Sequence, residues 1–414
     1  MNPARRRWLA TALAGTAAFA GWRFWPDEGL LHPCLGPLPP ELAAHPLVRE
    51  AWAGLDPSRV WDCHAHVFAA GADGGIDDGR GTLYWPLVAA QQLFFRNAVC
   101  ADADTGAAAF AGAYLARLDA LLAAMPAGFK VLLLALDARH DEAGRSLPRQ
   151  SHVWIGNDYC ARVAASRPER VEWAASIHPY RADAAQELAR VRALGARAVK
   201  WIPAAQGIDP ASPVCDRFYE ALAASGLPLI THAGAERAAP GDDELGNPLR
   251  LRRALEHGLR VVVAHCATMG EARDLDRGAA GPRAVNFALF ERLMDEPRSQ
   301  GRLFGDLSAL PQSARAGAPL RRILERGREG GDWSARLLSG SDYPLPAIMP
   351  LYSPRALAAE GLLDAAAVAP LSAIRRHNPL LFDFVIKRHL ALGGQRLAAG
   401  IFETRRFFSA PAAG

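Results

Sequence analysis

Trp61-Asp62-Cys63-His64-Ala65-His66 follows Val60 and ends in two histidines one residue apart. An apolar start that stops abruptly in polar groups reads as a buried strand whose carboxyl end meets a site. Side chains alternate along a strand, so the pattern places Asp62, His64 and His66 on one face and Cys63 and Ala65 on the other. Two converging imidazoles are by themselves only a modest signal for a metal. Three later runs stop in the same manner: Thr231-His232-Ala233-Gly234, Ala264-His265-Cys266 and Ser339-Gly340-Ser341-Asp342-Tyr343-Pro344.

Working outward, short runs rich in Val, Leu and Ile fall at 60–66, 131–137, 171–179, 196–203, 227–234, 260–267, 303–309 and 336–344. Between them lie longer stretches at helical spacing, such as 182–194 before Gly195 and 214–224 before Gly226, each glycine standing where a helix stop belongs. Strands alternating with helices of crossover length predict an α/β fold with parallel strands, and eight of them predict a (β/α)8 barrel of the TIM type. The gap at 67–130 is far longer than an ordinary connection and carries the Gly/Asp-rich GADGGIDDGRG at 71–81, which predicts an inserted region near the strand ends. Its Tyr84, Trp85, Phe94 and Phe95 read either as packing of an inserted helix or as a substrate-covering lid.

The 414 residues, 50% hydrophobic and 22% charged, suffice for a buried core and exclude a disordered or collagen-like chain. Forty-seven basic against 43 acidic residues leave +4, spread without a basic stripe, which argues against nucleic-acid binding. Arg5-Arg6-Arg7 leads into the uncharged WLATALAGTAAFAGW at 8–22, then Arg23 and a Pro-rich stretch to Pro40. That order reads as an export signal or membrane anchor over 1–25. Fifteen residues make about 22 Å of helix against a roughly 30 Å hydrocarbon core, which favours a cleaved signal over an anchor. Arg5-Arg6-Arg7-Trp8-Leu9 is also similar to the twin-arginine export motif, and Ala18-Phe19-Ala20 offers a cleavage site. The expected location is the periplasm, free or anchored to the inner membrane through the N-terminus. The expected order is a Pro-rich linker and lead-in helix at 26–57, the catalytic barrel at 58–390 with its insertion at 67–130, and a C-terminal tail at 391–414.

Six cysteines, at 34, 63, 100, 160, 215 and 266, include no C-x-x-C pair, so a cysteine metal site is not indicated. An oxidising compartment would permit a disulfide, and spacing alone does not choose it. G-x-S-x-G, P-loop and G-x-G-x-x-G motifs are all absent, which removes serine hydrolase, NTPase and dinucleotide-binding readings.

Parallel strands in a barrel bring their carboxyl ends to one mouth, so His64, His66, His232, His265 and Asp342 become neighbours. A buried carboxylate among imidazoles is costly without a cation, whereas a divalent ion satisfies all of them at about 2.0–2.2 Å. One such ion, zinc or else manganese or a similar metal, accounts for the set.

These motifs, with ASIHPYR at 175–181, ARAVKWIP at 196–203, FGDLSA at 304–309 and RRHNPLLF at 375–382, make the chain similar over about 60–384 to the amidohydrolase superfamily. It most resembles the amidohydrolase-related branch, which includes aminocarboxymuconate-semialdehyde decarboxylase, hydroxybenzoate-type decarboxylases and pyrone-dicarboxylate lactonase. The resemblance implies a (β/α)8 barrel with His64, His66, His232 and Asp342 as metal ligands, and His265 beside the reactive water. Asp342 would then take and return the proton, with His265 orienting or sharing it. Lys200 has two readings, a cation contacting substrate or, as in binuclear members of the superfamily, a carboxylated bridging ligand. Trp201 follows it where the branch often has histidine, and a regular strand would turn Trp201 away from Lys200. His178 is a candidate for the pocket floor, and Asp306 is a weaker one. Arg181, Arg237 and Arg252 are candidates to grip a carboxylate, weighed against ordinary ion pairing.

The leading functional expectation is a metal-dependent hydrolase acting on an amide, lactone or related ester-like bond of a small molecule. Nonoxidative decarboxylation of a small carboxylic acid is the alternative, and a noncatalytic membrane-surface binding protein is the third. Members of the branch are commonly oligomeric, which extends the expectation of a homo-oligomer to this chain.

Overall fold

The structure, a computed structural model, describes residues 28–76, 85–102, 105–237 and 239–409. The expected leader at 1–25 and Tyr84 of the insertion lie outside those residues.

Eight short strands run parallel: β1 Trp61–Ala65, β2 Lys130–Leu134, β3 Val171–Ala174, β4 Val199–Trp201, β5 Leu229–His232, β6 Val261–Ala264, β7 Leu303–Asp306 and β8 Leu337–Leu338. Each falls on one of the runs read from the sequence, β2 beginning one residue before its run. The first three form one sheet and the other five a second. Parallel bridges Ala175↔Val199 and Ala65↔Tyr343 link the two at both edges, so pairing passes from each strand to the next in chain order and returns to β1 after β8.

Alternation divides the strand side chains between two environments. Trp61, Cys63, Leu132, Leu134, Ala174, Ala198, Ile230, Val262 and Leu338 pack with one another on one face. Val131, Leu133, Val199, Trp201, Leu229, Val261 and Val263 join the larger core on the other face. Helix Arg405–Ser409 inserts Phe407 and Phe408 into the smaller cluster, with the rings of Phe304 and Phe407 4.7 Å apart. The stretch read as a tail thus carries part of the core. Helices α1 Ala184–Ala193 and α2 Asp216–Ser225 stop where the glycines predicted; Gly226 caps α2 at φ 74°, a conformation L side chains rarely adopt.

One expectation about β1 is corrected. Asp62 does not share a face with His64. The pairing of β1 with β2 shifts register between Asp62 and Ala65, a bulge that breaks strict alternation. Cys63 packs in the smaller cluster with Trp61 but Ala65 in the larger core, while Asp62 lines a cavity of about 10 Å³ with Phe129, Leu380 and Asp383.

In the insertion, α3 Trp85–Ala98 and α4 Ala107–Ala123 lie beside the segments that follow β1 and β8. Phe94 and Phe95 pack against Ala98, Ala347 and Ile348, and the Tyr114 hydroxyl donates to the His66 carbonyl at 2.6 Å. A disulfide joins Cys34 to Cys100 across 66 residues and pins the lead-in segment to the end of α3. Among the described residues no helix is long and apolar enough to cross a membrane.

Candidate active site

Parallel strands deliver their last residues to one side of the sheets, and the chemistry is concentrated there. His64 lies near the end of β1 and His66 just beyond it, Lys200 lies in β4, His232 ends β5, Asp306 ends β7, and His265 and Asp342 stand after β6 and β8. The backbone is held in uncommon shapes at two of these points. His265 has φ 55° and Asp342 φ 62°, left-handed conformations that non-glycine residues adopt only where surroundings impose them. The His265 amide donates to Asp306 Oδ1 at 2.9 Å and the Asp342 amide to the His64 carbonyl at 2.7 Å, which fixes both. Gly340 makes the approach possible, because a Cβ there would fall 2.7 Å from the Cβ of His64.

His66 Nε2 lies 2.9 Å and His64 Nε2 3.6 Å from Asp342 Oδ1, and His265 Nε2 lies 3.7 Å from Oδ2. Donor atoms of His64, His66 and Asp342 all fall within 4.8 Å of one another. His64 Nδ1 donates to Asp306 Oδ2 at 2.8 Å, leaving a lone pair on Nε2; His265 Nδ1 donates to the Ser308 carbonyl at 3.0 Å, leaving Nε2 likewise. Two imidazole lone pairs and a carboxylate therefore converge, an arrangement of acceptors that asks for a cation. Lys200, 1% exposed, brings Nζ to 3.3 Å from His64 Nε2.

Burial sets most of the protonation states. It lowers His64, with Lys200 adding to the effect and Asp306 opposing it, and it lowers His265 well below the ordinary range, assisted by Arg315. His232 is lowered to about 4, chiefly by burial, with Glu236 opposing. These rings are neutral near pH 7, the form that binds metals. Burial pushes the Asp342 carboxyl up, but His265, His66 and His64 outweigh it and hold it well below the usual carboxylate range. Burial also lowers Lys200, against the pull of Asp306 and Asp342.

Not every expected residue joins the group. His232 stands one ring away, its centroid 5.2 Å from that of His265 and its Nε2 3.4 Å from Glu236 Oε2, with Nδ1 buried and unpartnered. His178 is held by other partners: its Nε2 meets the Gln206 carbonyl at 3.1 Å, its Nδ1 accepts from the Tyr180 amide at 3.3 Å, and its ring lies against His140. Trp201 points away from Lys200, as alternation requires, donating to the Ile177 carbonyl at 2.8 Å. Arg181 pairs with Asp137 and Asp183, Arg252 with Asp276 and Glu296, and Arg237 approaches Asp243. Glu236, Ser308 and Arg315 escaped the sequence reading. Ser308 in FGDLSA and Glu236 four residues after His232 were the available signals; Arg315 has none.

A family model described as amidohydrolase matches residues 61–373. The chain belongs to the amidohydrolase family. It is accordingly an enzyme of a metal-dependent superfamily, as the motif resemblance implied. No curated protein matches it. Solved structures similar to this amidohydrolase include an uncharacterised TIM-barrel protein from Bordetella bronchiseptica, 16% identical, covering 70% of this chain and 88% of that one at a TM-score of 0.45. A putative 2-pyrone-4,6-dicarboxylic acid hydrolase from Pseudomonas putida is 18% identical, with 80% and 99% covered and a TM-score of 0.42. A 5-carboxyvanillate decarboxylase from Novosphingobium aromaticivorans, complexed with manganese, is 14% identical, with 85% and 97% covered and a TM-score of 0.41.

The side chains present fit a divalent cation. They supply imidazole nitrogens and a carboxylate oxygen, the donors such ions take. Asp306 behind His64 would serve as the second carboxylate that fixes a ligating ring and raises its basicity.

Proposed function

We propose that this amidohydrolase is a metal-dependent hydrolase of an amide, lactone or related ester-like bond, built on a (β/α)8 barrel. The observation that carries the reading is the convergence of His64, His66 and Asp342 within 4.8 Å at the carboxyl ends of parallel strands. The two edge-linking bridges support the barrel. His64, His66 and Asp342 would hold one divalent ion, zinc or manganese, and His232, one ring away with Nδ1 unpartnered, is the fourth donor we propose. When bound, such an ion acidifies a coordinated water and polarises a substrate carbonyl.

The protein's own groups supply the rest. Asp342, ionised by its imidazole neighbours, accepts a proton from the attacking water as the new C–O bond forms, then returns it to the leaving nitrogen or oxygen as that bond breaks. His265, neutral and with Nε2 facing Asp342 Oδ2, orients that proton. Lys200 neutralises developing negative charge beside His64.

A second reading is favoured by the same Lys200. A buried cation beside His64 also suits a carboxylated substrate, from which CO2 would leave while Asp342, having first taken a proton from water, passes it to the carbon left behind. A bridging, carboxylated Lys200 would require close to two metal equivalents. We also propose that the chain is exported, which the Arg-rich leader and the Cys34–Cys100 disulfide support.

The deciding experiment is a screen of lactones, amides and esters against β-keto and aromatic acids, using metal-loaded enzyme with product and CO2 both measured. Hydrolysis products without CO2 support the first reading; CO2 release from an acid replaces it with the second.

A further inference from the structure

We propose that Arg315 forms an anion subsite beside the metal-binding group, fitted to a carboxylate on the substrate remote from the reacting bond. The proposal deepens the functional reading above and rests on it. Arg315 follows β7 and is 7% exposed, yet among the described residues its guanidinium is held only by neutral acceptors: Nη1 donates to Thr268 Oγ1 and Nε to Gln312 Oε1, each at 3.1 Å. The Thr268 amide in turn donates to the His265 carbonyl at 3.1 Å, so the guanidinium is anchored to the turn that carries His265.

Comparably buried arginines are compensated or placed differently. Arg326 pairs with Asp295 and Asp332 and Arg375 with Glu28; Arg336 also rests on a neutral acceptor, the Met294 carbonyl, but it precedes β8, at the end of that strand away from Asp342. Among the described residues no carboxylate comes within ion-pair distance of Arg315; the nearby acids are engaged elsewhere, Glu236 with His232 and Asp342 with His66. Burial acts to lower the Arg315 guanidinium, and the charges of Asp342 and Glu236 oppose it, which places the cation in the field of the site. Arginine stays charged at any working pH, and a buried fork with spare donors is matched by a planar, bidentate anion. Arg181, Arg237 and Arg252 have acidic partners already, so they do not compete for this role.

The test compares charge at fixed chain length. Malonate, succinate and glutarate are titrated by calorimetry against propionate, butyrate and valerate, on the manganese-loaded protein and on the chelated protein. Each pair differs only in its second carboxylate. In the wild type at least one dicarboxylate binds more tightly than its partner, and Arg315→Gln weakens it by roughly 10- to 100-fold while leaving the monocarboxylate within about twofold. Arg315→Lys recovers part of the loss, since it restores charge without the fork. Should Arg315→Gln not fold, Thr268→Val removes one anchoring acceptor and selectively weakens the same dicarboxylate. Equal binding of both members of every pair in the wild type, or equal weakening of both in the variants, overturns the subsite. Failure to retain manganese counts against the metal reading instead, and is read from metal content before any titration.

Discussion

Asp306 Oδ2 accepts a hydrogen bond from His64 Nδ1 at 2.8 Å, joining the end of β7 to the end of β1 in a wholly buried pair. The bond selects the tautomer in which His64 Nε2 carries the lone pair turned toward Asp342. Asp306 Oδ1 meanwhile accepts from the amides of His265 and Ser308 at 2.9 and 3.0 Å, so one carboxylate positions two rings of the site. Asp306→Asn keeps an acceptor and the fold but removes the negative charge behind His64. It should weaken metal binding by roughly 10- to 100-fold, read by chelator competition. Unchanged affinity would show that Asp306 serves the backbone alone.

Asp342 combines two tasks, ligand and proton carrier. Asp342→Asn retains size and hydrogen bonding yet cannot accept a proton, so turnover should fall by roughly 100-fold or more with the melting temperature little changed. Activity near that of the wild type in a metal-replete assay would refute its role as the proton carrier.

His178 predicts a pH effect on stability. Burial, with His140 and nearby arginines, lowers its pKa from 6.5 to about 3. The unfolded chain takes up that proton at higher pH than the folded one, so the stability His178 contributes is whole above about pH 6.5 and is lost as pH falls toward 3. Denaturant midpoints of chelated protein at about pH 7 and about pH 4.5 should therefore differ more for the wild type than for His178→Leu. Equal losses would mean that the ring stays neutral in both states or charged in both.

The Cys34–Cys100 disulfide closes a loop of 66 residues that includes β1. Loop-closure entropy makes such a link worth about 2–4 kcal/mol, so Cys34→Ser with Cys100→Ser should lower the melting temperature by several degrees. Added reductant should do the same to the wild type and nothing to the variant. A reductant effect of equal size in both would place the sensitivity elsewhere.

Much of this architecture is legible in the sequence because hydrophobic burial imposes period and length. Apolar runs that stop in His64, His232, His265 and Asp342 mark strand ends, and Gly195 and Gly226 mark helix stops. What the pattern conceals is local departure from period. The bulge after Asp62 removes that residue from the face of His64, and nothing in WDCHAH announces it. Nor does His178 differ in sequence from His232; both end or follow apolar runs, and only the backbone partners at Gln206 and Tyr180 separate a hydrogen-bonded ring from one beside the site. Arg315 is one of many arginines, and its distinction, burial without an acidic partner beside the turn that carries His265, exists only in three dimensions. The C-terminal phenylalanines were similarly hidden, since contact with Phe304 arises from chain return rather than local spacing.

The most direct measurement is elemental analysis of the purified protein, alone and after reloading with zinc or manganese, beside the His64→Ala/His66→Ala variant. The account predicts about one equivalent of divalent metal in the wild type, restored after chelation, and little in a variant that melts as a folded protein. Metal-free wild type that takes up neither ion, or a variant that retains its full complement, would contradict it.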